Sequence, residues 1–452
     1  MPSIKKLLAP FKNIHFQSLM GNGVMAVFGL LTITVLYRTL SVKDIGVYVF
    51  FITIVTLIDT FKTGFLNNSF IKFYTGTTRE EGKVIIGSAW CLAIAITSGL
   101  LIVNALAFFW YSFKNDQEML MFLKYFFIIT IATLPSYMSN LIVQGDKRFD
   151  RLLWLKLINQ VLFTGAVIVL AVLHKATLTS VIYCYIAGNI AAGLTAILFN
   201  WTRIETIKSA SKNYILEIYH FGKYSMGTTV SSNFFKVTDV FFINFFLGPA
   251  ALAVYNLGGR LLQIIEIPIA SFVASGLPGF SGYYNNKLYD DMIYMMKKMI
   301  GMLSVAIFAI TLVCVIFAEP IIGLIGGAKY YHTEAPNLFR IFMTIAILYP
   351  ADRFFAVVLD VIHQPKINFY KILVMLTVNL LGDYIGLTLY KSIYIVVVVN
   401  VFPVLAAIII SYFPLNKFYK FNFWDIYIVG YKEIILVLTR VRGMLSAKMA
   451  KE

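Results

Sequence analysis

Long apolar stretches separated by short polar segments run along most of the chain. An α-helix needs about 20 apolar residues to cross a hydrocarbon core of about 30 Å. The clearest stretches are residues 16–37, 84–113, 119–143, 152–173, 178–201, 224–247, 299–317, 367–389 and 393–413, and three more, residues 45–73, 250–280 and 338–362, are interrupted by charged residues. The pattern predicts about 12 transmembrane helices.

The composition favours the same fold class. Hydrophobic residues make up 59% of the chain and charged residues 13%, whereas soluble domains carry roughly 25% charged residues. A transmembrane β-barrel is excluded because its strands alternate apolar and polar residues over about 10 positions. We therefore expect an all-α integral membrane protein.

The positive charge is distributed unevenly between alternate loops. The net charge is +16, and with the N-terminus inside, one set of loops collects most of the Lys and Arg residues. By the positive-inside rule, both termini should be cytoplasmic. The first apolar stretch has full span length and lacks a small-residue cleavage pattern, so we expect it to remain as a helix. The charge thus indicates membrane orientation, and we expect no nucleic-acid partner.

A short repeat links the two halves of the chain. The sequence LSVKDIGVY at residues 40–48 follows the first span, and LGPAALAVY at residues 247–255 follows the seventh. A weaker similarity joins QGDK at 144–147 to HQPK at 363–366. Segments six spans apart have the same orientation in the membrane. We therefore expect like-oriented halves, with the substrate between them near the bilayer midplane.

The repeat and the basic segments define the expected domains. These are an N-terminal six-helix bundle (1–201), a cytoplasmic basic linker (202–221), a C-terminal six-helix bundle (222–414) and a basic amphipathic cytoplasmic tail (415–452). The linker is too short for a separate soluble domain. The tail mixes Lys and Arg with aromatic and aliphatic residues, which favours a surface-lying amphipathic helix. A disordered basic tail is the alternative.

Charged residues inside the spans are the candidates for function. Each costs at least about 2.5 kcal/mol on insertion scales, so such residues normally face a bundle interior or a wet cavity. Asp59 and Lys62 lie three residues apart in the second span, as do Lys236 and Asp239 in the seventh. This spacing places each pair on one helical face, where the two charges can neutralise each other. A structural ion pair and a functional role both fit this spacing.

Arg260 is the strongest candidate for binding an anion. It lies about ten residues, or about 15 Å of helix rise, into the eighth span, near the bilayer centre. Glu266 is the nearest acid in that helix, and a separation of six residues puts the two on different faces. A guanidinium without a local partner suits paired phosphate oxygens; a cross-helix salt bridge is the alternative. Pro268 and Pro278 predict a bend in the same span.

Four more charged residues form a second group of candidates. Arg340 lies near the expected outer interface, where a long side chain can extend its charge to water. Asp352 and Arg353 are sequence neighbours and face different directions, and Pro350 predicts a kink just before them. Asp383 is a candidate for carrying a coupling proton, with a buried interhelical hydrogen bond as the alternative. The candidates for ion coupling are Asp59, Asp239, Asp383 and Glu266.

No motif for catalysis or metal binding stands out in the sequence. Cys91, Cys184 and Cys314 lie singly within predicted spans, without CxxC or Cys/His spacing. The sequence shows no Gly-rich phosphate loop and no nucleophile motif. We therefore expect neither a metal nor another cofactor, and we expect that the protein is not an enzyme.

Several motifs together resemble a known family. They are LxxxxxGVY after the first span, Lys62-Thr-Gly64 continuing to Phe73-Tyr74, QGDKRF at 144–149, and YNLGGR at 255–260 continuing to Leu277-Pro278. In this order they resemble the polysaccharide flippases of the O-antigen (Wzx) type, within the multidrug/oligosaccharidyl-lipid/polysaccharide (MOP) exporter superfamily. The resemblance extends over most of the chain, to about Phe413.

This resemblance implies a fold, a substrate and partners. It implies two pseudo-symmetric six-helix bundles around a central cavity and alternating access, which carries an undecaprenyl-diphosphate-linked oligosaccharide across the bacterial inner membrane. Cationic cavity residues would bind the diphosphate: Arg260 matches the family's eighth-span arginine, and Lys62 falls near a basic position of the second span. Asp59 departs from a purely cationic lining. Expected partners are the lipid-linked glycan, membrane lipids and other membrane proteins of polysaccharide assembly.

Other functions fit parts of the pattern. A drug/cation antiporter of the same superfamily would favour an acidic cavity, and a flippase for lipid-linked peptidoglycan precursors would usually carry extra C-terminal helices. A membrane polysaccharide polymerase or acyltransferase is an enzymatic alternative. A polymerase would carry a large outer loop, whereas the outer loops expected here are short.

Overall fold

The computed structural model describes residues 14–113 and 117–449. This part of the chain is almost entirely α-helical and contains no β-strand. Its helices are α1 (Ile14–Thr39), α2 (Val42–Tyr74), α3 (Arg79–Phe113), α4 (Gln117–Gly145), α5 (Phe149–Val172), α6 (Leu178–Leu198), α7 (Lys212–Leu247), α8 (Pro249–Arg260), α9 (Gln263–Asn285), α10 (Tyr289–Ile316), α11 (Ala318–Gly326), α12 (Ala335–Ala346), α13 (Tyr349–Val361), α14 (Pro365–Tyr390), α15 (Ile393–Val399), α16 (Val401–Phe418) and α17 (Asp425–Met449). Two short 3₁₀ helices, Ile204–Ser209 and Ala328–Tyr330, complete the secondary structure.

The apolar helices match the predicted spans. Within the described residues, nine segments are long and apolar enough to cross a membrane, and α8 with α9 forms a bent tenth. Two further spans correspond to α1 and α7, which contain the shorter apolar stretches Val24–Thr39 and Val237–Leu247. The all-α membrane fold is therefore confirmed, and the count of 12 spans is approximate.

The chain forms two compact units. Unit 1 comprises Met1–Phe234 and unit 2 comprises Phe235–Glu452. The boundary falls inside α7, so the first part of this helix belongs to unit 1 and the last part to unit 2. Ring and aliphatic side chains around Trp90 form a core in unit 1, and those around Phe354 and Phe355 form a core in unit 2.

Both copies of the repeat begin a helix, but by different means. At the start of α2, the Ser41 hydroxyl oxygen accepts a hydrogen bond from the Asp44 N–H over 3.1 Å and caps the helix. At the start of α8, Gly248 takes that place with φ of 84°, followed by Pro249 in the first helical turn. Glycine tolerates a positive φ, and proline in the first turn gives up an N–H that has no helical partner.

The connection between α6 and α7 is packed onto α3. The Trp90 indole N–H donates to the carbonyl of Thr202 over 2.9 Å, and the Ser211 N–H donates to the Ser88 hydroxyl over 3.0 Å. Gly87 faces the backbone carbonyl of Thr206 so closely that a Cβ would have no room. Residues 202–211 therefore form an ordered strap on unit 1, and the rest of the expected linker is the first part of α7.

The tail forms a helix that packs along α10. Gly430 of α17 meets Gly301 of α10 backbone to backbone, with no room for a Cβ at either position. Glu433 pairs with Lys298 over 2.5 Å and accepts a hydrogen bond from the Tyr294 hydroxyl over 2.5 Å. On the other side of α17, Ile428, Tyr431 and Ile435 are exposed, as is Trp424 directly before the helix. This exposed apolar face is compatible with the predicted amphipathic tail.

Candidate functional site

Lys62 is neutralised inside unit 1. Its ammonium lies 2.7 Å from a carboxylate oxygen of Asp59, and its side chain is 1% exposed whereas that of Asp59 is 35% exposed. The ammonium also donates to the Thr133 hydroxyl over 3.4 Å, and the Tyr137 hydroxyl donates to the backbone carbonyl of Lys62 over 2.9 Å. Lys62 therefore has a complete set of internal partners.

Arg340 is also held by its own unit. Its guanidinium pairs with Glu319 over 3.2 Å and donates to Asn337 Oδ1 over 2.6 Å and to the carbonyl of Val315 over 3.1 Å. These contacts join α12 to the end of α10 and to α11. The Arg340 guanidinium is thus held by a carboxylate and two neutral oxygens, and its expected place near the outer interface stays a prediction.

The neighbouring residues Asp352 and Arg353 have different surroundings. Asp352 pairs with Lys371 of α14 over 2.9 Å, with both side chains largely buried. Arg353 points elsewhere, is exposed, and forms no ion pair within the described residues. The helix is interrupted at residues 347–348, between α12 and α13, and Pro350 is the second residue of α13. The kink expected at Pro350 stays a prediction.

Arg260 is the last residue of α8, at a break in the eighth span. The break occupies residues 261–262, and α9 then runs without interruption through Pro268 and Pro278. The bend therefore lies before the prolines and not at them. Arg260 is exposed, and its Nε lies 3.4 Å from Oδ1 of Asn256. Within the described part of the chain no carboxylate forms an ion pair with Arg260, and Glu266 is exposed in α9.

A buried polar cluster surrounds Asp239 in unit 2. One carboxylate oxygen accepts hydrogen bonds from the Tyr255 hydroxyl and from the Asn400 amide, the latter over 2.8 Å. The other accepts from the Asn379 amide over 2.8 Å. The same Asn379 amide donates to Asp383 over 2.9 Å. One amide thus bridges two buried carboxylates from α7 and α14.

Asp383 is the less satisfied of these two carboxylates. Its side chain is 0% exposed, and its Oδ1 has no hydrogen-bond partner among the described residues. Two carboxylates in an apolar interior repel each other unless a cation or a proton compensates their charge. The geometry can therefore accept a small positive species beside Asn379.

Sequence reasoning missed several members of these sites. Lys371, Tyr255, Asn379 and Asn400 were not among the candidates, although Asn379 lies four residues before Asp383 and so shares its helical face. The ion pair expected between Asp239 and Lys236 involves the Lys236 side chain, which lies outside the side chains that the structure describes. It stays a prediction.

The sequence matches a known family over most of its length. Residues 35–334 match the family described as polysaccharide biosynthesis protein. The chain belongs to this family. The matched range contains Asp59, Lys62, Asp239 and Arg260 and ends before Arg340. Among curated protein sequences, none matches the chain.

Solved structures show the same fold. Lipid II flippase MurJ in an inward closed conformation has a TM-score of 0.72 at 13% identity, covering 93% of this chain and 91% of that one. An inward-facing multidrug resistance MATE family transporter of the MOP superfamily has a TM-score of 0.66 at 13% identity, covering 87% and 95%. A MOP superfamily transporter from Pyrococcus furiosus has a TM-score of 0.59 at 13% identity, covering 89% and 93%. The chain therefore has the same fold as these transporters.

Proposed function

We propose that the protein is a flippase that moves an undecaprenyl-diphosphate-linked oligosaccharide from the inner to the outer leaflet of the bacterial inner membrane by alternating access. Family membership and the MOP fold support a transport role in polysaccharide biosynthesis. A diphosphate needs help to cross hydrocarbon, because desolvating its charge is costly. A water-accessible cationic site replaces the lost hydration while the polyprenyl chain stays in lipid.

The observation that carries this proposal is the availability of Arg260. Lys62 and Arg340 are each paired with a carboxylate of their own unit, and the side chain of Lys236 is not described. Arg260 and Arg353 are exposed and outside any ion pair in the described residues. We assign Arg260 as the main diphosphate ligand and Arg353 as a second one.

The chemistry of arginine supports this assignment. A guanidinium offers two parallel N–H donors to a pair of phosphate oxygens and keeps its charge at any physiological pH. Arg260 is the last residue of α8, directly before the interruption between α8 and α9. Its side chain is therefore attached where the helix axis changes direction. Movement at this break would displace the guanidinium together with its ligand.

In this proposal, the energy for transport comes from the gradient of an ion that binds at the Asp239 cluster. A proton or a sodium ion beside Asn379 would compensate the two buried carboxylates. The membrane potential adds about 2.3 kcal/mol per charge for each 100 mV.

The transport proposal is tested with the full chain reconstituted into liposomes. A fluorescent diphosphate-linked glycolipid should cross the bilayer, while a cationic drug should not be exchanged. Drug exchange without glycolipid movement would contradict the flippase and favour a drug/cation antiporter, the second candidate, which the acidic cluster of Asp239 and Asp383 supports. Empty liposomes and liposomes with heat-inactivated protein serve as controls.

The coupling proposal has its own test. Asp383→Asn removes one of the two carboxylates while keeping the side-chain shape. Flipping by this variant should lose its response to imposed proton or sodium gradients, while a basal rate driven by substrate concentration persists. A wild-type protein that is indifferent to both gradients would contradict ion coupling but not the flippase.

A further inference from the structure

Three segments of unit 1 are joined by one arginine. The Arg203 guanidinium donates to the Tyr74 hydroxyl over 2.8 Å and also binds the Asp146 carboxylate. The Tyr74 hydroxyl donates to the other oxygen of Asp146 over 2.5 Å. Tyr74 ends α2, Asp146 follows α4, and Arg203 lies in the connection after α6. We call these three residues the arginine clasp.

The clasp is built with close packing. The Tyr74 ring stacks on Phe70, with ring centroids 4.8 Å apart, and a Cβ on Gly145 would lie 2.5 Å from the tyrosine ring. Burial opposes the charge of Arg203, but Tyr74 and Asp146 raise the pKa of its guanidinium above the ordinary value. A tyrosine and a carboxylate at this end of unit 1 thus hold a cation.

Unit 2 has the corresponding helix ends six spans later. There α9 ends at Asn285, α13 at Val361 and α16 at Phe418. The turns after α4 and α13 have the same backbone form, with φ of 57° at Lys147 and 61° at His363 and equivalent N–H to carbonyl bonds. In this register Ile362 corresponds to Asp146, and Asp360 corresponds to Gln144.

Unit 2 has a tyrosine and a carboxylate near these helix ends, but neither stands at the position of its counterpart in the clasp. Tyr284 lies near the end of α9 and Asp360 near the end of α13. Residues 419–424, which follow α16, include the exposed Lys420 but no arginine. The Phe418 ring lies 6.2 Å from the Tyr284 ring instead, and the His363 ring lies 5.5 Å from it.

A cavity of about 300 Å³ opens at this place. Its lining residues are Leu277, Ser281, Tyr284, Asn285, Asp360, Val361 and His363. Asp360 is exposed and accepts one hydrogen bond, from the Asn368 amide to Oδ1 over 2.8 Å. It forms no ion pair within the described residues. We propose that this cavity binds a small organic cation with a guanidinium or primary ammonium group, which would pair with the Asp360 carboxylate.

The lining suits such a ligand. The Asp360 carboxylate supplies the opposite charge and accepts charge-assisted hydrogen bonds, and the Tyr284 ring offers an aromatic face to a cation. The Ser281 hydroxyl and the Asn285 amide oxygen are further acceptors, while Leu277 accommodates a short alkyl chain. A volume of about 300 Å³ is at the lower end for ligand sites, so the cavity excludes a polyprenyl oligosaccharide. This site is thus independent of the transported substrate.

The proposal is tested with the purified full chain in detergent and agmatine, which carries both cationic groups. Calorimetry should show saturable binding that Asp360→Asn weakens about tenfold and that Ser281→Leu, which fills the cavity, abolishes. The matched control Glu334→Gln removes an exposed carboxylate of the same unit that does not line the cavity, and it should bind as the wild type does.

Several results would overturn the cation site. They are the absence of saturable agmatine binding, equal binding by Asp360→Asn, or an identical heat signal from sodium chloride at matched ionic strength. Binding of inorganic pyrophosphate that Ser281→Leu abolishes would show that the cavity takes an anion instead. A normal flipping rate in Asp360→Asn is compatible with the proposal, because this cavity is separate from the transport site.

Discussion

The buried ion pair between Asp352 and Lys371 offers the sharpest test of the forces inside unit 2. The charged atoms lie 2.9 Å apart, and the side chains are 14% and 5% exposed. At an effective dielectric constant of about 20, their attraction is about 6 kcal/mol, which the cost of desolvating both charges largely offsets. The pair therefore adds little net stability, but each partner depends strongly on the other.

Removing one charge of the pair should lower the free energy of unfolding more than removing both charges. Asp352→Asn leaves the Lys371 ammonium buried without an opposite charge and should cost about 3–5 kcal/mol, and Lys371→Met should cost about 3 kcal/mol because Asp352 is the more exposed. The double variant removes both charges and should recover most of the loss. The coupling energy, which is the summed single losses minus the small loss that remains in the double variant, is then about 5–7 kcal/mol.

The assay is equilibrium unfolding in mixed dodecyl maltoside and SDS micelles, followed by tryptophan fluorescence for the four proteins of the cycle. A matched exposed pair, Lys83 with Glu80, which lies 2.9 Å apart on the surface of α3, should show much weaker coupling. A double variant that is as unstable as the sum of both single variants would refute the reasoning, because the two charges would then act independently.

Three further variants test other contacts of the structure. Arg203→Met breaks the arginine clasp and should lower stability by about 1 kcal/mol, allowing for the partial exposure of Arg203; unchanged unfolding would count against the clasp. Gly430→Leu inserts a side chain where α17 meets Gly301, so limited proteolysis should cut α17 faster than in the wild type. Tyr255→Phe removes a buried hydrogen bond to Asp239 and should cost about 1–3 kcal/mol in the same unfolding assay; a neutral result would show that Asp239 does not need this donor.

The apolar pattern predicted the fold well because a membrane helix must satisfy its backbone polar groups within its own segment. Length and hydropathy are therefore local signals, and residues 152–173 and 178–201 lie close to the observed α5 and α6.

The position of the bend in the eighth span could not be predicted from the prolines. Proline is tolerated in membrane helices when neighbouring groups satisfy the freed carbonyls, so Pro268 and Pro278 lie inside α9. The break follows Arg260 instead.

The candidate sites depended on contacts that sequence spacing does not reveal. Asp59 and Lys62 are three residues apart, so the sequence was compatible with an ion pair between them as well as with a functional role. Lys371 lies 19 residues from Asp352 and on another helix, and Asn400 reaches Asp239 from 161 residues away. Partners of this kind are set by the packing of helices against one another. They become visible only in the folded chain.

The central claim, that Arg260 binds the diphosphate of the lipid-linked substrate, is tested most directly by the initial flipping rate in proteoliposomes. Losing charge-assisted hydrogen bonds worth about 1.5–3 kcal/mol should slow Arg260→Ala by about 10–100-fold, while Arg260→Lys keeps the charge and retains part of the rate. Lys432→Gln, which neutralises an exposed lysine of α17, should flip as the wild type does. A wild-type rate for Arg260→Ala would contradict the account.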